Sequence, residues 1–173
     1  MIKVAVFFAD GTEELEALTP VDLLRRVGAS VDIVSVGDEF LTGSHGIIIK
    51  ADKTIDKAID CDYDALVIPG GMPGATNIAK NLSAMRMIEN AVANKKLIAS
   101  ICASPAVVLA SNNLLNGKKA TCYPAIEFIK MMGENYLESD VVVSENLITA
   151  NGPKSAFKFA LEIISYLGLK TNF

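Results

Sequence analysis

Short apolar runs and turn residues alternate along this chain in a strand–helix rhythm. Lys3–Phe8 (KVAVFF), Val31–Val36 (VDIVSV), Ala65–Ile68 (ALVI) and Leu97–Ile101 (LIASI) are near-continuous hydrophobic runs. They are too short for helices and suit strands buried on both faces of a parallel sheet, with Leu97–Ile101 at its centre. Segments with helical spacing lie between them. Glu13–Val27 has acids in its first turn, Thr12 as an N-cap and Gly28 as its stop, while Pro20 should kink or reset it. Leu82–Asn94 aligns Leu82, Met85, Ile88, Ala91 and Val92 on one face, and Lys154–Leu167 turns Phe157, Ala160, Leu161 and Ile164 inward. Gly37–Lys50 reads as a small hairpin added to the main sheet, and Ile55–Ile59 as a helical turn. Ala125–Met132 reads as a helix ended by Gly133, and residues 141–149 as a hairpin. The pattern predicts one α/β domain over residues 1–173, a mostly parallel sheet with helices on both faces.

One stretch carries the chemistry. In Leu97–Ala110 (LIASICASPAVVLA) the strand gives way at Cys102 to small residues, then to Pro105 and a run with helical spacing. Pro just inside a helix start is favoured because its missing N–H would be unpaired there anyway. Cys102 therefore falls on a strand-to-helix corner beside free amide donors, a setting that lowers a thiol's pKa. The alternative is a buried structural cysteine on a core strand. Ligands in such sheets collect at the carboxyl ends of the strands. Three loops qualify: Ala9–Glu16, the glycine-rich Pro69–Gly74 and Cys102–Pro105. Gly71 and Ala103 could then present backbone N–H groups to an oxyanion. A Cys–His–acid triad is not supported, since the single histidine, His45, lies upstream of Cys102.

Composition narrows the classes further. The chain is 51% hydrophobic and 21% charged, which fits a packed globular protein rather than a disordered one. A net charge of −4 with no basic cluster beyond a pair leaves no footprint for nucleic acid. The apolar start is too short for a secretory signal, and no stretch is long enough for a membrane span, so a cytoplasmic protein is expected. Three cysteines give no disulfide framework, and Cys/His metal spacings are absent, so no metal is expected.

Four segments in order, Gly11–Arg26 (GTEELEALTPVDLLRR), Ile68–Asn77 (IPGGMPGATN), Ala99–Ala110 and Asn151–Leu161 (NGPKSAFKFAL), resemble the ThiJ/PfpI family. The similarity is greatest to the branch of the human parkinsonism-associated protein deglycase and its bacterial relatives. The resemblance implies a flavodoxin-like three-layer sandwich of the class I glutamine amidotransferase type, a homodimer and a reactive cysteine at Cys102. It also implies that Glu16 stays protonated and hydrogen-bonds the sulfur, where residue type alone suggests a solvated first-turn acid. Glu13 and Glu14 keep that solvated reading. Gly70 belongs to the matching glycine-rich loop. Tyr123 stands where the human branch has histidine, and either lines the pocket or packs. His45 stands where relatives carry an arginine that approaches the neighbouring subunit's site, and is otherwise an exposed hairpin residue. Arg26 matches an arginine near the family's interface, or is a surface cation. Cys61 and Cys122 read as bystanders. The implied activity is cofactor-free conversion of reactive carbonyls, methylglyoxal to lactate or a glycated adduct to its free amine or thiol. The alternative is a redox sensor or chaperone in which Cys102 becomes a sulfinate.

Overall fold

The computed structural model describes residues 1–171 and 173. Its main sheet has seven strands: β1 (Lys3–Phe8), β2 (Ser30–Ser35), β5 (Lys53–Thr54), β6 (Ala65–Ile68), β7 (Leu97–Ile101), β8 (Val141–Ser144) and β9 (Leu147–Ala150). Their order is β5-β2-β1-β6-β7-β9-β8. All neighbours pair in parallel except β8, which runs antiparallel to β9. β7 is an interior strand, one place from the centre, which β6 occupies.

The all-apolar strands hide an alternation that the layers make visible. Val4, Val6 and Phe8 of β1 join one core with Ala17, Val21 and Leu24 of α1 (Glu14–Arg26) and Phe159, Ala160 and Ile163 of α6 (Ala156–Tyr166). Ala5 and Phe7 face the other way. There they meet α2 (Ile55–Ala58), α3 (Gly74–Lys80), α4 (Leu82–Ala93) and α5 (Ile126–Met132). This is the flavodoxin-like, three-layer arrangement expected from the sequence.

Several local expectations are corrected. The hairpin β3 (Phe40–Thr42) and β4 (Ile48–Lys50) forms a separate two-stranded sheet rather than extending the main one. α1 runs on through Pro20 as one helix, and its N-cap is Glu13, not Thr12. Thr12 instead accepts the Ala9 N–H on its Oγ1, at 2.9 Å, closing the turn after β1. The segment after Cys102 is a π-helical turn, Pro105–Leu109, followed by a 3₁₀ turn, Ala110–Asn112. Such wide turns recur at functional sites. In α6 the inward residues include Phe159 and Ile163, and Phe157 faces solvent. Leu82 at the start of α4 is likewise exposed, while Ala84 and Met87 are buried.

Candidate active site

The chain leaves β1 for β2 on one side and returns to β6 on the other, so β1 and β6 bracket a switch point in the sheet. Ligand crevices in open α/β sheets form outside the carboxyl ends of strands at such points. The loops after β1, β6 and β7 meet there. Glu13 N–H donates to Gly70 O at 3.0 Å, and Ser104 Oγ donates to Pro69 O at 2.6 Å.

Cys102 sits at the tip of the β7 corner with φ of 64°, a left-handed conformation that costs a side-chain-bearing residue roughly 1–3 kcal/mol. Two backbone bonds hold it there: its N–H donates to Ala150 O at 2.9 Å, and its C=O accepts from Tyr123 N–H at 2.8 Å. The thiol is half-buried. The amides of Gly71 and Ala103 face the sulfur and favour its thiolate.

Glu16 lies in the first turn of α1 with no exposed surface, beside Cys102. Its amide N–H is capped by Glu13 Oε2 at 2.9 Å, which fixes where the side chain starts. Its Oε2 accepts the Gly70 N–H at 2.8 Å, and its buried Oε1 has no hydrogen-bond partner. Burial pushes the Glu16 carboxyl up to about 7, against the opposing pull of the Cys102 thiol and the Gly70 amide. Burial also pushes the Cys102 thiol up, and the Glu16 charge adds to that. The helix-start donors do not by themselves outweigh desolvation, which corrects the expectation of a thiol lowered by its corner alone. A charged Glu16 opposes ionisation of the Cys102 thiol beside it. With the proton on Glu16 Oε1, the repulsion disappears and the carboxyl becomes a donor toward sulfur.

The glycines make this approach possible. A Cβ on Gly70 would stand 2.6 Å from Cys102 Cβ and 2.7 Å from Glu16 Oε2. Gly71, with φ of 85°, would collide with Gly11 O at 2.5 Å. Tyr123 follows the elbow through its N–H, and its ring lies against Gly152, where a Cβ would come within 3.3 Å.

The remaining candidates fall elsewhere. His45 is exposed and belongs to its own chain's α1 start: Nδ1 is 3.1 Å from Glu14 Oε2 and 3.6 Å from Glu13 Oε1. Glu13 and Glu14 are buried, against the expectation of solvated acids. Glu14 accepts the His45 N–H at 2.8 Å, the Ile47 N–H at 3.3 Å and the Ser44 Oγ–H at 3.3 Å, so it anchors the β3–β4 turn to the helix. Those donors hold its carboxyl below the usual range despite burial. Glu13, Glu14 and His45 bring possible metal-ligating atoms within 4.8 Å of one another, but Glu14 is already engaged by this hairpin. Arg26 lies at the far end of α1, paired with Asp22 at 2.7 Å, and takes no part in the Cys102 cluster. Cys122 is completely buried. Sequence reasoning missed Glu13 as a cap, because glutamate is not a preferred capping residue. It missed Ser104 as a tie because nothing in the pattern shows what its hydroxyl meets.

Residues 2–166 match the DJ-1/PfpI family. The chain belongs to that family. It is 33% identical to the Parkinson disease protein 7 homolog of Danio rerio, over 95% of this chain and 89% of that protein. It is 30% identical to a deglycase of Pyrococcus horikoshii, over 96% and 99%. It also matches the DJ-1 homolog B of Arabidopsis thaliana at 37% identity over 94% of its own length, but spans only 37% of that protein. Among solved structures, an oxidized DJ-1 from Toxoplasma gondii superposes with a TM-score of 0.93 at 43% identity, covering 96% of this chain and 91% of that one. Among the described residues, no helix is long and apolar enough to cross a membrane.

Proposed function

We propose that this DJ-1/PfpI protein is a cysteine-dependent enzyme acting on small reactive carbonyls, of glyoxalase or deglycase type. One observation carries the reading: a half-buried thiol on a strained corner adjoins a buried carboxyl whose Oε1 is unpartnered. The Cys102 thiolate adds to the aldehyde carbon of methylglyoxal, forming a C–S bond, and the carbonyl electron pair moves onto oxygen. Gly71 and Ala103 amides hold that oxyanion, and Glu16 supplies its proton. Glu16, now ionised, takes the proton from the same carbon while the electron pair moves through to the ketone oxygen, giving an enediol; it returns the proton to the neighbouring carbon as the first hydroxyl's proton passes to the second oxygen, leaving a thioester. Water then cleaves the C–S bond, releasing lactate and restoring the thiol. The sequence balances as methylglyoxal plus water to lactate, with no net redox change and no cofactor. The deglycase from Pyrococcus horikoshii among its relatives supports this substrate class. The test is lactate formation by wild type, Cys102→Ser and Glu16→Gln. Wild-type turnover no higher than the Cys102→Ser background would end the enzyme reading.

A second reading has its own observation, the oxidized state of the similar Toxoplasma protein. In it Cys102 takes two oxygens from peroxide and the resulting sulfinate accepts from Glu16 and the same amides, as a sensor or chaperone signal. Cys102 left without added oxygen under mild peroxide, read by mass spectrometry, would exclude it. For either reading we propose a cytoplasmic homodimer. Exposed Leu15, Phe40, Ile47 and Ile48 are the surface a second copy would cover. Light scattering that returns a monomer mass would overturn the dimer.

A further inference from the structure

Cys61, read from the sequence as a bystander, sits in a surface turn with three features around it. It lies near the amino ends of β6 and β7, while Cys102 lies past the carboxyl end of β7, so roughly the length of a five-residue strand, about 16 Å, separates the two thiols. Lys53 Nζ on β5 approaches Cys61 Sγ at 3.9 Å. The sulfur also lines a cleft of about 150 Å³, open to solvent, with Asp62, Tyr63, Met87, Asn90 and Lys96 among its walls. Lys53 itself is held from behind: Nζ donates to Asp32 Oδ2 at 2.8 Å, and the Tyr63 hydroxyl donates to the same oxygen at 2.7 Å. The lysine is thus oriented on rigid sheet residues, with a thiol in front of its nitrogen and a route for small solutes to that thiol.

We propose that Lys53 and Cys61 form a peroxide-driven, thiol-reversible sulfenamide cross-link, a modification site separate from the Cys102 corner. The oxidant is a hydroperoxide. The Cys61 thiolate attacks one peroxide oxygen; the S–O bond forms, the O–O bond breaks and hydroxide leaves. The neutral Lys53 amine then attacks the sulfenic sulfur. The S–N bond forms, the S–O bond breaks, and the oxygen leaves as water with the amine's proton. Relative to the starting pair the product has lost two hydrogens, and peroxide has become two waters. A thiol reductant reverses the step by attacking sulfur and returning the amine. Asp32 opposes the second step, because it stabilises the ammonium over the amine. The charged and titratable groups bearing on Lys53 are Asp32, with Arg25 beside it, Cys61 and Tyr63. The bond would join β5 to the turn after α2, closing a loop of nine residues, 53 to 61.

The inference does not depend on the carbonyl chemistry at Cys102, and its experiment keeps the two apart. Full-length wild type, Cys102→Ser, Cys61→Ser, Lys53→Arg and Asp32→Asn are treated with hydrogen peroxide. Free thiols are then alkylated and tryptic peptides, cut between the two residues at Lys57, are mapped by mass spectrometry. Wild type and Cys102→Ser should both yield linked peptides containing Lys53 and Cys61, two hydrogens lighter than their sum and separated by dithiothreitol. Cys61→Ser and Lys53→Arg should yield none; arginine keeps the Asp32 ion pair and hence the fold, but has no nucleophilic amine. Asp32→Asn should raise the cross-linked fraction several-fold at neutral pH. Oxidation of wild-type Cys61 to sulfinate without the linked peptide overturns the proposal, as does Cys61 left unmodified while Cys102 oxidises.

Discussion

Glu14 and Glu16 lie two residues apart at the start of α1, both almost wholly removed from water, yet their titrations move in opposite directions. The hairpin side of the turn surrounds Glu14 with backbone and side-chain donors from residues 44–47. The sheet side offers Glu16 a single backbone donor, Gly70 N–H, and a thiol. Burial alone therefore does not decide what a buried carboxyl does; the number of donors left to it does. The first turn of one helix thus serves as a clamp on one side and a proton store on the other.

The comparison breaks most visibly in catalysis. Glu16→Gln should lower carbonyl turnover by about 10²–10⁴, the usual worth of a general acid–base group, with lactate release as the readout. Glu14→Gln should leave the same assay close to wild type, because its carboxyl faces the hairpin.

The next effect is on stability against pH. Glu16 is raised in the folded state, so the stability it contributes is fully present below about 4.5 and is lost as pH rises to about 7. The unfolding free energy of wild type relative to Glu16→Gln, from denaturant titration, should fall across that window, by up to about 3 kcal/mol, and stay level above it. Glu14 has the opposite sign. Its contribution is present above the ordinary carboxylate range and is lost as pH falls below it.

Gly70→Ala sharpens the sheet side of the comparison. Its Cβ would push Cys102 and Glu16 apart, and a displacement of about 1 Å should reduce kcat/KM about 10²-fold while circular dichroism stays native. The smallest expected change is in the clamp. Glu14→Gln should lose about 1–3 kcal/mol of unfolding free energy at pH 7, a gap that closes in acid.

Much of this was legible in the residues, and the losses have physical causes. The parallel sheet follows from short apolar runs separated by helical spacing, and the corner at Cys102 from the change of pattern at Cys-Ala-Ser-Pro. Gly70 and Gly71 are visible as a flexible loop, although only the fold says which atoms they let approach. The acids of Gly-Thr-Glu-Glu-Leu-Glu could not be ranked from composition. Their roles depend on whether a distant hairpin or the β7 corner lies opposite, and separations of 30 to 90 residues leave no local trace. The exposed Leu82 and Phe157 failed for a related reason: helical spacing defines a stripe, but neighbours decide how wide a stripe they cover. The wide turn after Cys102 was read as an ordinary helix because periodicity over five residues cannot separate the two.

The Cys102 backbone is tied on both sides, to Ala150 and to Tyr123, and its φ is fixed at 64°. The sulfur keeps one torsion, and the Glu16 carboxyl beside it is pinned through Gly70. A planar carbonyl would then be met from a single direction and reprotonated from a single direction. The lactate formed from methylglyoxal should accordingly be one enantiomer, so the handedness of the product would report the rigidity of the corner.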